Sequence, residues 1–242
     1  MKIAGKTDIG MIRSTNQDTF RIEALNKNLG LALVCDGMGG VQGGDRASAL
    51  ARRTITNVIR SGCSAALAEG TIHDLLLQAV YEANRAIWLE AMAEPELHGM
   101  GTTVVAAVIT ADTAFVAHVG DSRLYQLRDG QFFQVTKDHS RVQQLVDEGT
   151  ITPAEARVHP DRNVITRAVG VACDVDVDLL DLPLQPGDKL LFCTDGLSGI
   201  CEDSVIAEAL YGLPAEEAAE HLIHLANMGG GYDNITVVIV EV

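Results

Sequence analysis

Three stretches of the chain place an apolar side chain every three or four residues. Ala47, Leu50, Ala51, Ile55, Val58 and Ile59 make one stripe between Asp45 and Ile59. Ile72, Leu75, Leu76, Ala79, Val80, Ala83 and Ile87 make a second, and Ala218, Ala219, Leu222, Ile223 and Ala226 a third. This spacing lines apolar groups along one side of a helix, so each stripe predicts an amphipathic helix packed on a sheet. Shorter apolar runs bounded by turn residues predict strands at Leu31 to Cys35, 102–110, 113–119, 122–128, 131–135, 188–194 and 234–242. Asp129-Gly130 is a two-residue hairpin turn, because both residue types tolerate positive φ. The four runs between 102 and 135 are expected to form one consecutive antiparallel meander. Strand blocks alternating with helix pairs indicate an α+β layered fold. The segment 137–170 is polar and irregular, broken by a capping box in which Thr152 is the N-cap, Pro153 opens the helix and Glu155 sits at N3. We read it as a flap inserted within a single domain spanning 1–242.

Composition narrows the class. Of 242 residues 47% are apolar, enough for a sizeable core and near the upper end of what one core serves. No apolar run approaches the roughly 20 residues that span a bilayer. The opening MKIAGKTDIG has no apolar signal region. The five cysteines are odd in number and form no C-x-x-C pair, so neither a disulfide framework nor a zinc knuckle is indicated. Cys35 and Cys193 lie in apolar runs and read as buried packing residues. A cytoplasmic protein is expected. The net charge of −15 repels nucleic acid and anionic membrane and favours cations.

Five aspartates stand out against this background. Asp36 and Asp195 each close an apolar strand and precede a glycine; Asp121 sits in a tight link between two strands; Asp233 immediately precedes the last strand; Asp18 follows RSTNQ. Taken singly, an Asp-Gly is a turn signal. If their strand ends converge, which spacing alone does not establish, oxygen ligands without His or Cys suit a hard ion such as Mg²⁺ or Mn²⁺.

The motifs RSTNQD (13–18), VCDGMGG (34–40), GMGTTVVAA (99–107), VGDSRLY (119–125), TKDHS (136–140), the 145–170 block, LLFCTDGLS (190–198) and GYDNITVVIV (231–240) occur in one order along nearly the whole chain. In that order they resemble the metal-dependent protein serine/threonine phosphatases of the protein phosphatase 2C family, in its compact bacterial form. The resemblance implies a four-layer αββα sandwich, two antiparallel sheets flanked by helices. It implies hydrolysis of phosphoserine and phosphothreonine on proteins by direct attack of a metal-bridging hydroxide. It further implies that Asp36 bridges two Mn²⁺ or Mg²⁺ ions, that Asp195 and Asp233 bind the first, and that the Gly37 carbonyl binds the second. Asp121, with Asp195, would hold a third ion. Asp18 would orient water, and Arg13 would grip the substrate phosphate. Asn234 would fix the turn that aims Asp233. Met38 departs from the eukaryotic pattern, which has a histidine there; a thioether donates no proton, so the leaving alkoxide must take one from another group. None of the seven histidines is read as a metal ligand. The expected partners are phosphorylated proteins, a cognate kinase or a forkhead-associated protein among them, with the enzyme acting as a monomer. Two rival readings use the same residues: a catalytically inactive regulatory relative, and a hydrolase of small phosphoesters.

Overall fold

The computed structural model describes residues 1–63 and 69–242. Among these residues eleven strands form two antiparallel sheets. The first holds β1 (Lys2–Asp8), β11 (Ile235–Glu241), β10 (Lys189–Cys193), β7 (Arg123–Arg128) and β8 (Gln131–Gln134) in that spatial order. The second runs β2 (Asp18–Asn26), β3 (Leu29–Met38), β5 (Val104–Ile109), β6 (Thr113–Val119) and β9 (Asp178–Pro183), with the short β4 (Gly101–Thr102) beside β3. Helices α1 (Gly40–Gly62) and α2 (Glu69–Ala93) cover the outer face of the second sheet. Helices α6 (Asp203–Gly212) and α7 (Ala215–Met228) cover the first. The short helices α3 (Arg141–Asp147), α4 (Pro153–Val158) and α5 (Asp195–Ser198) lie in connections.

The apolar strands are continuous because both of their faces are buried. On β3, Leu31, Leu33 and Cys35 point to the helix side, where they meet Ala47, Ile55 and Ile59. Ala32 and Val34 point the other way, into the layer between the sheets with Leu190, Phe192, Val238 and Val240. Each fully buried Leu, Ile or Val contributes about 1.5–3 kcal/mol relative to exposure, so this middle layer is what holds the two sheets together. The predicted stripes become the buried sides of α1, α2 and α7. The Thr152–Glu155 capping box forms in full at the start of α4.

The expected meander does not form. β5 pairs with β6 and β7 pairs with β8, but β6 and β7 belong to different sheets. Residues 120–122 cross between the layers, with Gly120 at φ 110°. A three-residue link suits a hairpin and a sheet change equally, so alternation alone could not separate them. The crossover matters, because it sets Asp121 at the end of the sandwich where β3, β10 and β11 also present their ends.

Candidate active site

Backbone pairing begins the assembly. In the β2–β3 ladder Asp18 stands opposite Asp36. The Asp36 carbonyl accepts from Thr102 Oγ1 at 2.8 Å and from Thr103 N at 2.9 Å, while Asp36 N donates to Thr103 Oγ1 at 3.0 Å. The Thr103 and Ser122 hydroxyls are 2.7 Å apart, which ties the segment carrying Asp121 to the one carrying Asp36. Close approaches fix two glycines. A Cβ on Gly37 would stand 1.9 Å from Gly44 O, and one on Gly196 would stand 1.9 Å from Asn234 O. Only glycine lets α1 enter beside Asp36, and only glycine lets β10 and β11 converge behind Asp195 and Asp233.

Asn234 fastens the N-terminal loop to this frame. Its Nδ2 donates to Ile9 O at 2.9 Å and Thr15 O at 3.0 Å, and its Oδ1 accepts from Gln17 N at 2.8 Å. The Asn234 side chain therefore positions the loop that carries Arg13 into β2, while its backbone N donates to Asp233 Oδ1 at 2.8 Å. The resulting cavity, about 440 Å³, is lined by Arg13, Asp36, Gly37, Asp121, Asp195 and Asp233. Met38 lies on its wall, as do Asn163 and Ile165 from the 137–170 segment. Asp18 sits behind the wall, buried, with Oδ2 accepting from Thr194 Oγ1 at 2.8 Å.

The electrostatics are severe. Loss of hydration, then repulsion from Asp18, Asp195, Asp121 and Asp233, pushes the Asp36 carboxyl well above its ordinary range. Burial, followed by the charges of Asp195 and Asp138, does the same to Asp121. Asp195 is raised to about 6 by burial and by Asp233, and Asp18 to about 7, chiefly by burial against hydrogen bonds from Thr236 and Thr194. Buried Asp18 Oδ1 and Asp195 Oδ1 accept no hydrogen bond among the described residues. Crowded carboxylates with orphaned oxygens are stabilised by a multivalent cation, and an all-oxygen set suits a hard one. The residues present thus fit divalent ions. Arg13 supplies one positive charge at the rim: its Nη2 donates to Asp233 Oδ2 at 2.7 Å, with both side chains partly exposed.

A second cluster, His118, His139 and Asp178, brings three ligand atoms within 4.8 Å of one another. Its chemistry differs. His139 Nδ1 accepts from Gly120 N at 3.0 Å, so Nε2 carries the proton and faces Asp178 Oδ2 at 3.2 Å. Arg167 Nη1 lies 2.8 Å from Asp178 Oδ1. The guanidinium already takes the cation's place, and we read this cluster as the strut that seats Gly120, next to Asp121. His221 and His224 lie on α7, away from the cavity lining. Sequence reasoning missed Thr103, Thr194, Asp178 and Arg167. The threonines stood inside quoted motifs, but the aspartates they bond, Asp36 and Asp18, are far from them in sequence, and a hydroxyl shows no partner there.

The chain has relatives among known proteins. A family model described as protein phosphatase 2C matches residues 13–231. A serine/threonine phosphatase, Stp, of Listeria monocytogenes is 39% identical over 237 residues, covering 98% of this chain and 94% of the relative. The crystal structure of the serine/threonine phosphatase PstP from Mycobacterium tuberculosis superposes with a TM-score of 0.90 at 39% identity, covering 100% of this chain and 99% of that one. A further structure, the catalytic domain of PstP in complex with two manganese ions, gives a TM-score of 0.85 at 36% identity over 98% of this chain and 96% of that one.

Proposed function

The chain belongs to the protein phosphatase 2C family and is a protein serine/threonine phosphatase; on that premise we propose that Asp36, Gly37, Asp121, Asp195 and Asp233 hold its divalent ions, while Arg13 and Asp18 complete the catalytic set. The observation that carries this reading is the meeting of Asp36, Asp121, Asp195 and Asp233 on one cavity wall with a buried oxygen of Asp195 left unpartnered. The family is metal-dependent, and we assign Mn²⁺ or Mg²⁺, two ions in the core and a third near Asp121. Bound there, such ions lower the pKa of water and neutralise phosphoryl oxygens. The protein's own groups do the rest. Asp36, which shares the cavity lining with Asp195 and Gly37, would be the carboxylate shared between two ions, with the Gly37 carbonyl as a ligand of the second. Asp18, opposite Asp36 and held by Thr194, fixes a carboxylate oxygen behind the ligands and can accept a hydrogen bond from water in the cavity. Arg13 at the rim can exchange Asp233 for a substrate phosphate, whose two oxygens suit the planar guanidinium. Met38 offers no proton, so the leaving hydroxyl takes its proton from solvent or from another group at the cavity.

The full aspartate set speaks against an inactive relative. We propose that 137–170 acts as a substrate-facing flap of a single catalytic domain, supported by Asn163 and Ile165 on the cavity wall. Phosphorylated proteins are the substrates; a cognate serine/threonine kinase and a forkhead-associated protein are the specific partners we propose, met in the cytoplasm by a monomer. No helix among the described residues is long and apolar enough to cross a membrane. Phosphate release from a phosphothreonine peptide tests the reading. It should require Mn²⁺ or Mg²⁺, stop in chelator, and fall at least a hundredfold in Asp36→Ala, on the order of one lost transition-state contact. Undiminished release in chelator would overturn it.

A further inference from the structure

Helix α1 carries Arg46, Arg53 and Arg60 at intervals of seven residues, two helical turns, so the three guanidinium groups follow one side of the helix over about 20 Å. Arg52 stands beside this row. Across from it lies β2, the edge strand of the second sheet. In the β2–β3 register Arg21 is opposite Leu33 and Glu23 opposite Leu31, the β3 residues that point to the helix side, so Arg21 and Glu23 face α1. Between them is a groove of about 410 Å³ lined by Arg21, Arg46, Arg52, Arg53, Asn57 and Arg60. It shares no lining residue with the aspartate cavity.

The charge in this groove is out of balance. Glu23 is shared by Arg21 at 2.8 Å and Arg60 at 2.7 Å. Arg46 pairs with Glu90. Among the described residues no carboxylate pairs with Arg52 or Arg53. Five guanidinium groups against two carboxylates leave a local charge of +3 (5 − 2) on a chain whose net charge is −15. A structural salt-bridge network would balance its charges; this one keeps two cations in reserve, and Arg53 is exposed.

The groove starts close to the active site. Arg21 follows Asp18 by three residues of strand, about 10 Å. Gly44, two residues before Arg46, packs against Gly37. An extended chain held at the aspartate cavity advances about 3.3 Å per residue, so its positions from roughly the third onward reach the arginines. We propose that this groove is a docking site for the carboxylate-rich flank of the phosphoprotein substrate, lying three to six residues from the phosphorylated one. The proposal rests on the phosphatase reading and deepens it. On a chain of net charge −15, this strip carries a local positive charge that attracts such a flank.

Two phosphothreonine peptides test it, one with aspartates and glutamates at those distances on both sides and one with asparagines and glutamines. The wild-type enzyme should prefer the acidic peptide, and Arg52→Gln/Arg53→Gln should lower kcat/KM for it by roughly three- to tenfold, the range expected for two exposed ion pairs. Hydrolysis of the neutral peptide and of p-nitrophenyl phosphate should stay unchanged. Equal loss on both peptides, or no loss, would overturn the proposal. Anisotropy with a labelled, unphosphorylated acidic peptide reads docking without catalysis, so a wild-type protein that binds it but hydrolyses nothing would fail the phosphatase reading and not the groove. Binding equally by wild type and variant, or capture of anionic vesicles in place of the peptide, would refute the groove itself.

Discussion

Replacing Asn234 by alanine tests how the site is assembled rather than what it holds. The side chain is buried and makes three hydrogen bonds of 2.8–3.0 Å to the backbone of residues 9, 15 and 17. Each such bond contributes about 0.5–1.5 kcal/mol net, and stranding a buried partner costs more. Ile9 and Thr15 are exposed residues whose carbonyls can be rehydrated, whereas Gln17 N is less accessible. We therefore expect Asn234→Ala to lose about 2–3 kcal/mol in urea unfolding, towards the middle of that range. The loop is also tied by Met11 N to Gly231 O at 2.8 Å, so it loosens without detaching. Arg13 lies between the freed anchors. Its phosphate contact is of the charge-assisted kind, and partial loss should raise KM for a phosphothreonine peptide about tenfold with a smaller change in kcat. Asn234→Asp keeps the acceptor for Gln17 N but sets an oxygen against two carbonyls and should do no better. Loss of under about 0.5 kcal/mol with KM within twofold of wild type would refute the anchoring argument.

Two other perturbations follow from buried polar groups. Burial, then the neighbouring His139, lowers His118 to about 3, so the fold holds it neutral. Its contribution to stability is whole above pH 6.5 and is lost as pH falls towards the folded value, because the unfolded chain takes up the proton; the slope is about 1.4 kcal/mol per pH unit. Urea midpoints from pH 7.5 to 4.5 should fall less steeply for His118→Asn than for wild type, and parallel curves would count against the assignment. Asp188 is buried and its carboxyl is kept below the ordinary range because Arg128, Gln185 N and Gln126 outweigh the cost of burial. Arg128→Met strands that charge and should destabilise by about 3 kcal/mol in the same assay, whereas a change under 1 would show the pair to be dispensable.

Much of this molecule was legible before any coordinates. The stripes of α1, α2 and α7 appear because a helix packed on a sheet must repeat its apolar contacts, and the aspartates appear because carboxylates at strand ends have few other uses together. Strands β1 and β9 escaped notice because KIAGKTD and DLLDLP are half-polar edge strands whose stability comes from their neighbours. The sheet change at 120–122 was hidden because hairpin and crossover share one local pattern. The His139–Asp178–Arg167 strut was hidden because its members are far apart in sequence and lie in polar text. The arginines at 46, 53 and 60 did show a periodicity, one carried by charge instead of hydrophobicity. Their groove depends on facing β2, which only packing reveals.

The central claim is that Asp36, Asp195 and Asp233 form a centre for divalent ions. Anomalous diffraction at the manganese edge, from crystals grown with Mn²⁺, tests it most directly. The account predicts at least two peaks in the cavity, one between Asp195 and Asp233 and one beside the Gly37 carbonyl, with Asp36 touching both. Manganese found only elsewhere, for instance at His118, His139 and Asp178, with the aspartate cavity bare, would contradict it.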